Sequence, residues 1–371
     1  MEGTRPRTAS SIGMFDMLKG AGMLTIVFAH TAELYPMQSV SGLSLTAFFP
    51  FIYREALMAA FFIASGYGFR KRSIHKCIHQ QLKSLLKPYL YTALFTCVLH
   101  FIIHYKTFQY LPGTIGESIK VTGGFLLGLP HTAEYFGQEF FSCGPMWYLL
   151  ALMVGWVLLD VILNIFPERY VPWAVAGCVL LGWGASLVWE LPFCLIQGAV
   201  VVPYLYIGFL AKRNHLLDEP LPRRLFAGLL AATVLIAVGA LATRTTDCIS
   251  LAEWSLGPLS IFLDGAAGLL FIRLFMRLSR GHGPIVRFLE AVGRRSLNIF
   301  CVHTVEIIAI PWYLMVAKFS AQPVLGMWLQ YAIALGSIWL VCELLRVRRA
   351  LIIRFFPARR RTPAVHYTSR H

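Results

Sequence analysis

Residues 14–34, MFDMLKGAGMLTIVFAHTAEL, form an apolar stretch that carries four ionisable side chains: Asp16, Lys19, His30 and Glu33. Read as a helix of 3.6 residues per turn, it puts Lys19 and His30 nearly three whole turns apart, on one line and about 16 Å from each other. Asp16 and Glu33 fall within roughly 60° of that line. An ionisable group facing lipid costs about 2.5–3.5 kcal/mol or more, so such a seam belongs against a protein interior or a wet cavity. Imidazole titrates near neutral pH, which suits His30 to general-base work. Glu33, one turn further on, is placed to orient the ring and stabilise the imidazolium, although it stacks on the same helix. Asp264 and Glu306, at matching depth on later stretches, are the alternatives for that task. Asp16 and Lys19 read equally as an i,i+3 pair snorkelling at the membrane surface.

The rest of the chain must position these groups. Of its 371 residues, 57% are hydrophobic and 14% charged, against about 45–50% and about 25% in soluble domains. The apolar residues come in blocks near 14–35, 45–69, 88–105, 145–166, 171–189, 192–211, 225–243, 256–279, 296–316 and 324–345. These approach the ~20 residues that cross a hydrocarbon core as a helix. The expectation is an all-α, polytopic integral-membrane bundle of about ten transmembrane helices, multi-pass in the cell membrane. A shorter Gly-rich stretch, 118–130, reads as re-entrant or interfacial. The basic loops 70–87, 212–224 and 280–295 then share one face with the N-terminal TRPR and the basic tail. By the positive-inside rule that face, with both termini, is cytoplasmic. The division is a cytoplasmic segment 1–13, a membrane domain 14–345 and a basic cytoplasmic tail 346–371 against anionic lipid. The net charge of +15 is thereby assigned to topology, and no nucleic-acid partner is expected. The eight cysteines show no metal-ligand spacing, so no metal is expected. Cys143 and Cys248 fall in outer loops, where a disulfide is allowed but not demanded.

Four segments, in order, resemble a known family. Lys19-x10-His30 behind FDMLKG, FFIASGYGFRKR (61–72), GPMWYLLALM (144–153) and RRSLNIFCVHTVEI (294–307) are similar to the motifs of the membrane acyltransferase 3 family. The resemblance covers about residues 14–345. It implies transfer of an acyl group, most often acetyl from acetyl-CoA, to a hydroxyl of a carbohydrate or lipid-linked glycan of the cell envelope. Carried over to this chain, it makes His30 the essential histidine and Lys19 its basic partner. The run ending at Lys83 and Lys87 is similar to the family's Arg-rich run, with Lys in place of Arg.

A CoA donor, implied by that resemblance, brings phosphate charge, and the chain has no GxGxxG or P-loop pattern. The expected donor contacts are therefore Arg70, Arg72, Lys83 and Lys87, with Lys71, Arg294 and Arg295 nearby. Lys is a point charge without Arg's fork, so the joint charge matters more than any single contact. Trp147 and Tyr148 read equally as an interfacial aromatic belt or a sugar-stacking platform. His303 and Glu306, three residues apart, face the interior, for an interhelical hydrogen bond or for the acceptor site. Asp264, Trp147, Tyr148, His303 and Glu306 make up the substrate-binding set. Ser65 reads as a packing or capping residue. His100, His104, Asp160 and Glu190 read as interfacial. His30 lies deep toward the outer face, so the donor is expected to enter between helices and the acceptor to wait outside. The rival class is a proton-coupled transporter or flippase of a cell-envelope precursor, which also places His and acids inside the membrane. No matched halves with paired broken helices support it.

Overall fold

Proline decides where several apolar stretches stop being helix. The computed structural model describes residues 13–35, 56–218, 220–243, 245, 247–281 and 283–355, with side chains as far as Arg348. The N-terminal TRPR, the first part of the second apolar stretch and the end of the basic tail lie outside the described residues. The order begins α1 (Asp16–Glu33), α2 (Met58–Tyr67) and α3 (Ile74–Gln81), which a π-helical turn joins to α4 (Lys87–Phe108). There follow α5 (Leu111–Leu127), the hairpin β1 (Ala133–Tyr135) and β2 (Gln138–Phe140), α6 (Trp147–Ile165), α7 (Val171–Ser186), α8 (Leu195–Val200) and α9 (Val202–Arg213). The chain continues through α10 (Arg223–Thr243), α11 (Pro258–Leu278), α12 (Pro284–Gly293), α13 (Ser296–Ala309), α14 (Tyr313–Lys318) and α15 (Pro323–Phe355).

Among the described residues, five helices are long and apolar enough to cross a membrane, or six if α8 and α9, bent by 49°, count as one span. Their outward faces are greasy. Leu94 and Phe95 on α4, Val234 and Leu241 on α10, and Trp339 and Leu344 on α15 are all exposed. Apolar surface on this scale needs lipid against it, which makes the chain a membrane protein.

Two single apolar stretches of the sequence are broken in the structure. Pro203 sits in the first turn of α9, where its missing N–H interrupts no helical bond but ends the helix before it. Ile310, just ahead of Pro311, takes an extended backbone of φ −92° and ψ 129° and ends α13, as a residue before proline prefers. Proline also starts helices. Pro112 lies in the first turn of α5, so the 118–130 stretch is the back half of a 17-residue helix packed along α4. The basic loop 280–295, read as a connection, folds into the amphipathic α12 and docks on α1.

That docking is a close backbone contact. A Cβ on Gly20 would stand 1.9 Å from the Leu289 carbonyl oxygen, and one on Gly293 would stand 1.8 Å from the Asp16 carbonyl oxygen. Only paired glycines let α1 and α12 approach this far. α2 is held in the same way against α9, where a Cβ on Gly66 would meet the Leu205 carbonyl oxygen at 2.2 Å. The Ser-Gly of FFIASGYG is thus a packing device: Ser65 Oγ donates to the Phe61 carbonyl at 2.9 Å while its glycine neighbour admits α9. α1 is held by α12 at the end that carries Asp16 and Gly20, and it also packs on α13 and α15. It is therefore a rigid rod for the groups it carries.

Candidate active site

The seam on α1 begins with Lys19, whose Nζ lies 3.5 Å from Asp16 Oδ1. Asp16 is buried, and Lys19 stays half exposed on a cavity wall. About one and a half turns beyond the middle of the helix is His30. Its Nδ1 is 3.1 Å from His303 Nε2 on α13, with the two rings stacked at 5.3 Å and 12°. His303 Nδ1 is in turn 3.0 Å from Glu306 Oε2, one turn further along α13. His303 and Glu306 are almost fully buried.

This chain of bonds is complete for one set of tautomers, that with Glu306 as a carboxylate and His303 neutral. An ionised carboxylate only accepts, so His303 Nδ1 must donate to Glu306. A neutral His303 then accepts at Nε2, and His30 donates to it from Nδ1. In that arrangement the basic lone pair of His30 is on Nε2. Glu306 is thus linked to His30 through the His303 ring, and Glu33 lies exposed on the cavity wall. Asp264, the other alternative, is buried on α11 and lines neither of the cavities described next.

His30 stands where two cavities meet. The first, about 730 Å³, runs from Lys19, Tyr67 and Lys212 at the basic end past Ser65 and Tyr148 to His30, Glu33 and Trp147. The second, about 590 Å³, is lined by His30, Trp147, His100, His104, Glu117, Ser142 and Tyr313. Trp147, Pro145, Ser250 and His30 belong to both walls. Tyr148 presents its hydroxyl 3.3 Å from Ser65 Oγ. Trp147 and Tyr148 thus sit on the cavity walls, inside the bundle.

A family model described as an acyltransferase domain, Acyl_transf_3, matches residues 12–347. The chain belongs to this acyltransferase family. No curated protein and no solved structure matches it. The family makes the chain a membrane acyltransferase, and the cations that could face a charged donor then matter.

Those cations are only partly the ones legible in sequence. Lys19 and Lys212 line the first cavity, Lys212 with its Nζ 5.8 Å above the Tyr67 ring. Lys212 lies in a run read only as topological charge, and nothing in its spacing singles it out. Arg70, Arg72, Lys83 and Lys87 do not line the cavity, although their neighbours Gly68 and Leu85 do. Lys87 lies over the exposed ring of Tyr91, 5.8 Å from its centroid, on the outer surface of α4. The loop that carries Arg70 to Arg72 is tied down by Asp160 on α6, whose Oδ1 accepts from the Arg72 backbone N–H at 3.0 Å. Asn164 adds a bond from Nδ2 to the Arg72 carbonyl at 2.9 Å. Asp160 is wholly buried, so its interfacial reading gives way to one of loop anchor.

Outside the spans, Glu190 draws together the loops that carry His131 and Tyr135 and the start of α8. Its Oε1 accepts from Gln197 Nε2 at 3.3 Å, its Oε2 is 3.7 Å from His131 Nε2, and its carbonyl accepts from the Tyr135 hydroxyl. Burial raises the Glu190 carboxyl above the usual range, with His131 and Gln197 pulling the other way. Cys143 and Cys248 are both free thiols. Among the described residues, no group of three or more His, Cys, Asp or Glu gathers in metal-binding geometry.

Proposed function

We propose that this membrane acyltransferase moves an acyl group, acetyl in the first instance, from acyl-CoA to a hydroxyl of a carbohydrate or lipid-linked acceptor of the cell envelope, with His30 as general base. The observation that carries the reading is the position of His30. It stands at the junction of two cavities, one lined by cations, with a buried His303–Glu306 relay behind it. The bundle is read as crossing the cell membrane ten times with both ends in the cytoplasm, so the cationic cavity opens toward the cytoplasmic donor.

The donor's phosphates sit by Lys19, Lys212 and the loop from Arg70 to Arg72, and its acyl arm reaches about 16 Å along α1 to His30. The acceptor hydroxyl gives its proton to His30 Nε2 as its oxygen attacks the thioester carbonyl. The positive charge on the imidazolium is stabilised through His303 by Glu306, as the acid of a triad stabilises its histidine. When the tetrahedral intermediate collapses, the C–S bond breaks and the His30 proton goes to the departing sulfur. Base and acid are then the same ring, and the acyl group leaves on the acceptor oxygen.

The test uses purified protein, acetyl-CoA and detection of free CoA, with wild type compared to His30→Ala. General-base assistance is worth roughly 10²–10⁴ in rate, so release by the variant should fall by at least the lower figure. Equal release by both proteins would remove His30 from the chemistry. Acetyl-CoA binding without turnover by wild type would point to a non-catalytic role.

A further inference from the structure

The second cavity has a chemistry of its own. One wall is the α4–α5 hairpin, and α4 is a helix whose outer face is bare hydrocarbon. On its inner face His100 and His104 stand one turn apart, with rings stacked at 5.6 Å. Each Nδ1 is tied to a hydroxyl on α5: His100 to Ser118 Oγ at 3.3 Å, and His104 to Thr114 Oγ1 at 2.9 Å. Those bonds fix the angle of both rings and use only one nitrogen of each. Among the described residues nothing bonds the two Nε2 atoms, and both residues line the cavity. Holding α4 to α5 would need no cavity beside the rings.

The charges are equally specific. Glu117 lines the cavity, and its carboxylate is matched by Lys120 at 3.3 Å. No Lys or Arg lines it among the described residues, whereas Lys19 and Lys212 line the first cavity. Lys120 is already committed, paired with Glu117 and 5.2 Å from the Phe141 ring centroid, so a phosphate or carboxylate placed here would lose its hydration with no uncommitted cation in the lining to replace it. A neutral ring bearing hydroxyls fits. Its C–H faces can pack on Trp147, Phe141 and Tyr313, and its hydroxyls can meet two imidazole nitrogens and a carboxylate.

We propose that this second cavity is the acceptor subsite, that it takes an uncharged glycosyl ring, and that His100 and His104 are the residues that select it. The assignment rests on the reading of His30 as the base, because His30 is where the two cavities join. It divides the molecule by charge, with the anionic donor on one side of His30 and a neutral acceptor on the other.

The test uses the full chain in lipid nanodiscs with acetyl-CoA and three probes on one sugar ring: methyl β-glucoside, glucose 1-phosphate and methyl glucosaminide. Acetylated product and free CoA are both measured. The neutral glucoside should be acetylated at least tenfold faster than the phosphate. In His100→Phe and His104→Phe the ratio of glucoside transfer to acceptor-free CoA release should fall at least tenfold. Thr132→Trp, which adds bulk at another residue of the lining, should lower the same ratio, so the outcome does not rest on the histidine variants folding. Glucose 1-phosphate or the amine outrunning the glucoside would overturn the neutral class. So would a wild type that releases CoA but acetylates no glucoside. An unchanged ratio in all three variants would overturn the site. Equal CoA release by wild type and His30→Ala would instead be a failure of the base assignment, and is read separately.

Discussion

Glu306→Gln isolates the contribution of one buried charge. Gln has nearly the shape of Glu and still presents an oxygen to His303, 3.0 Å away in the native protein, so the side-chain packing is kept and only the charge goes. In the proposed mechanism the carboxylate acts on a His30 imidazolium across the His303 ring, taken as roughly 8 Å for the Coulomb sum. At an effective dielectric of about 20 that attraction is worth ~2 kcal/mol. A barrier raised by that amount slows the chemical step about 30-fold. A charge-assisted hydrogen bond contributes about 1.5–3 kcal/mol, which brackets the same figure. The assay is CoA release from acetyl-CoA, followed with a thiol-reactive dye at saturating donor. The loss should appear in kcat with KM for acetyl-CoA little changed, because Glu306 lines neither cavity. A variant that folds and turns over within threefold of wild type, while His30→Ala is inactive, would refute the relay. A loss confined to KM would refute it as well.

Three further outcomes are expected. Asp160→Asn weakens the acceptor for the Arg72 N–H and loosens the cationic loop, so KM for acetyl-CoA should rise several-fold with kcat nearly intact; an unchanged KM would detach that loop from donor binding. Gly20→Ala drives a Cβ into the Leu289 carbonyl, and such overpacking costs about 1–3 kcal/mol. Its thermal midpoint should drop clearly, and an unshifted midpoint would mean that the α1–α12 contact is looser than described. Glu190, whose carboxyl is raised by burial, binds its proton more tightly folded than unfolded. The stability this gives is fully present below the ordinary carboxylate pKa and is lost as pH rises through the raised value. The wild-type midpoint should therefore decline relative to Glu190→Gln across that window, and parallel pH curves would contradict the shift.

The seam on α1 was legible because helical periodicity alone puts Lys19 and His30 on one face, and both do line one cavity. The apolar stretches that became helices were legible for a similar reason, since their length and hydropathy are local properties. The breaks at Ile310 and Pro203 were less so: hydropathy averages over proline, and Pro311 and Pro203 act through one missing N–H and one steric clash. α12 was hidden in a basic loop, where charge masked an amphipathic pattern and the paired glycines had no visible partner. His303 and Glu306 were recognised as inward-facing, but their connection to His30 joins positions 273 residues apart. Only tertiary packing supplies it. Asp264 shows what depth alone leaves open: depth was read from the sequence, and the residue is buried on α11 and lines neither of these two cavities. The histidines on α4 were read from their nearness to a span end, and the cavity behind them depends on how α5 lies.

The break after Ala309 has a consequence for how tightly the reaction is coupled. α13 has 14 residues, about 21 Å of helix, well short of a ~30 Å hydrocarbon core. Its open backbone therefore ends at membrane depth, which is tolerated only beside protein or water, and Ile307, Ile308 and Tyr313 there line the second cavity. On the proposed mechanism, water held in that cavity would reach His30, which lines it, and so the thioester carbonyl. By the same mechanism, a water molecule would compete as nucleophile whenever that chamber is vacant, and the acyl group would be lost to hydrolysis. Economy with the donor then depends on a docked acceptor expelling that water before the acyl arm arrives.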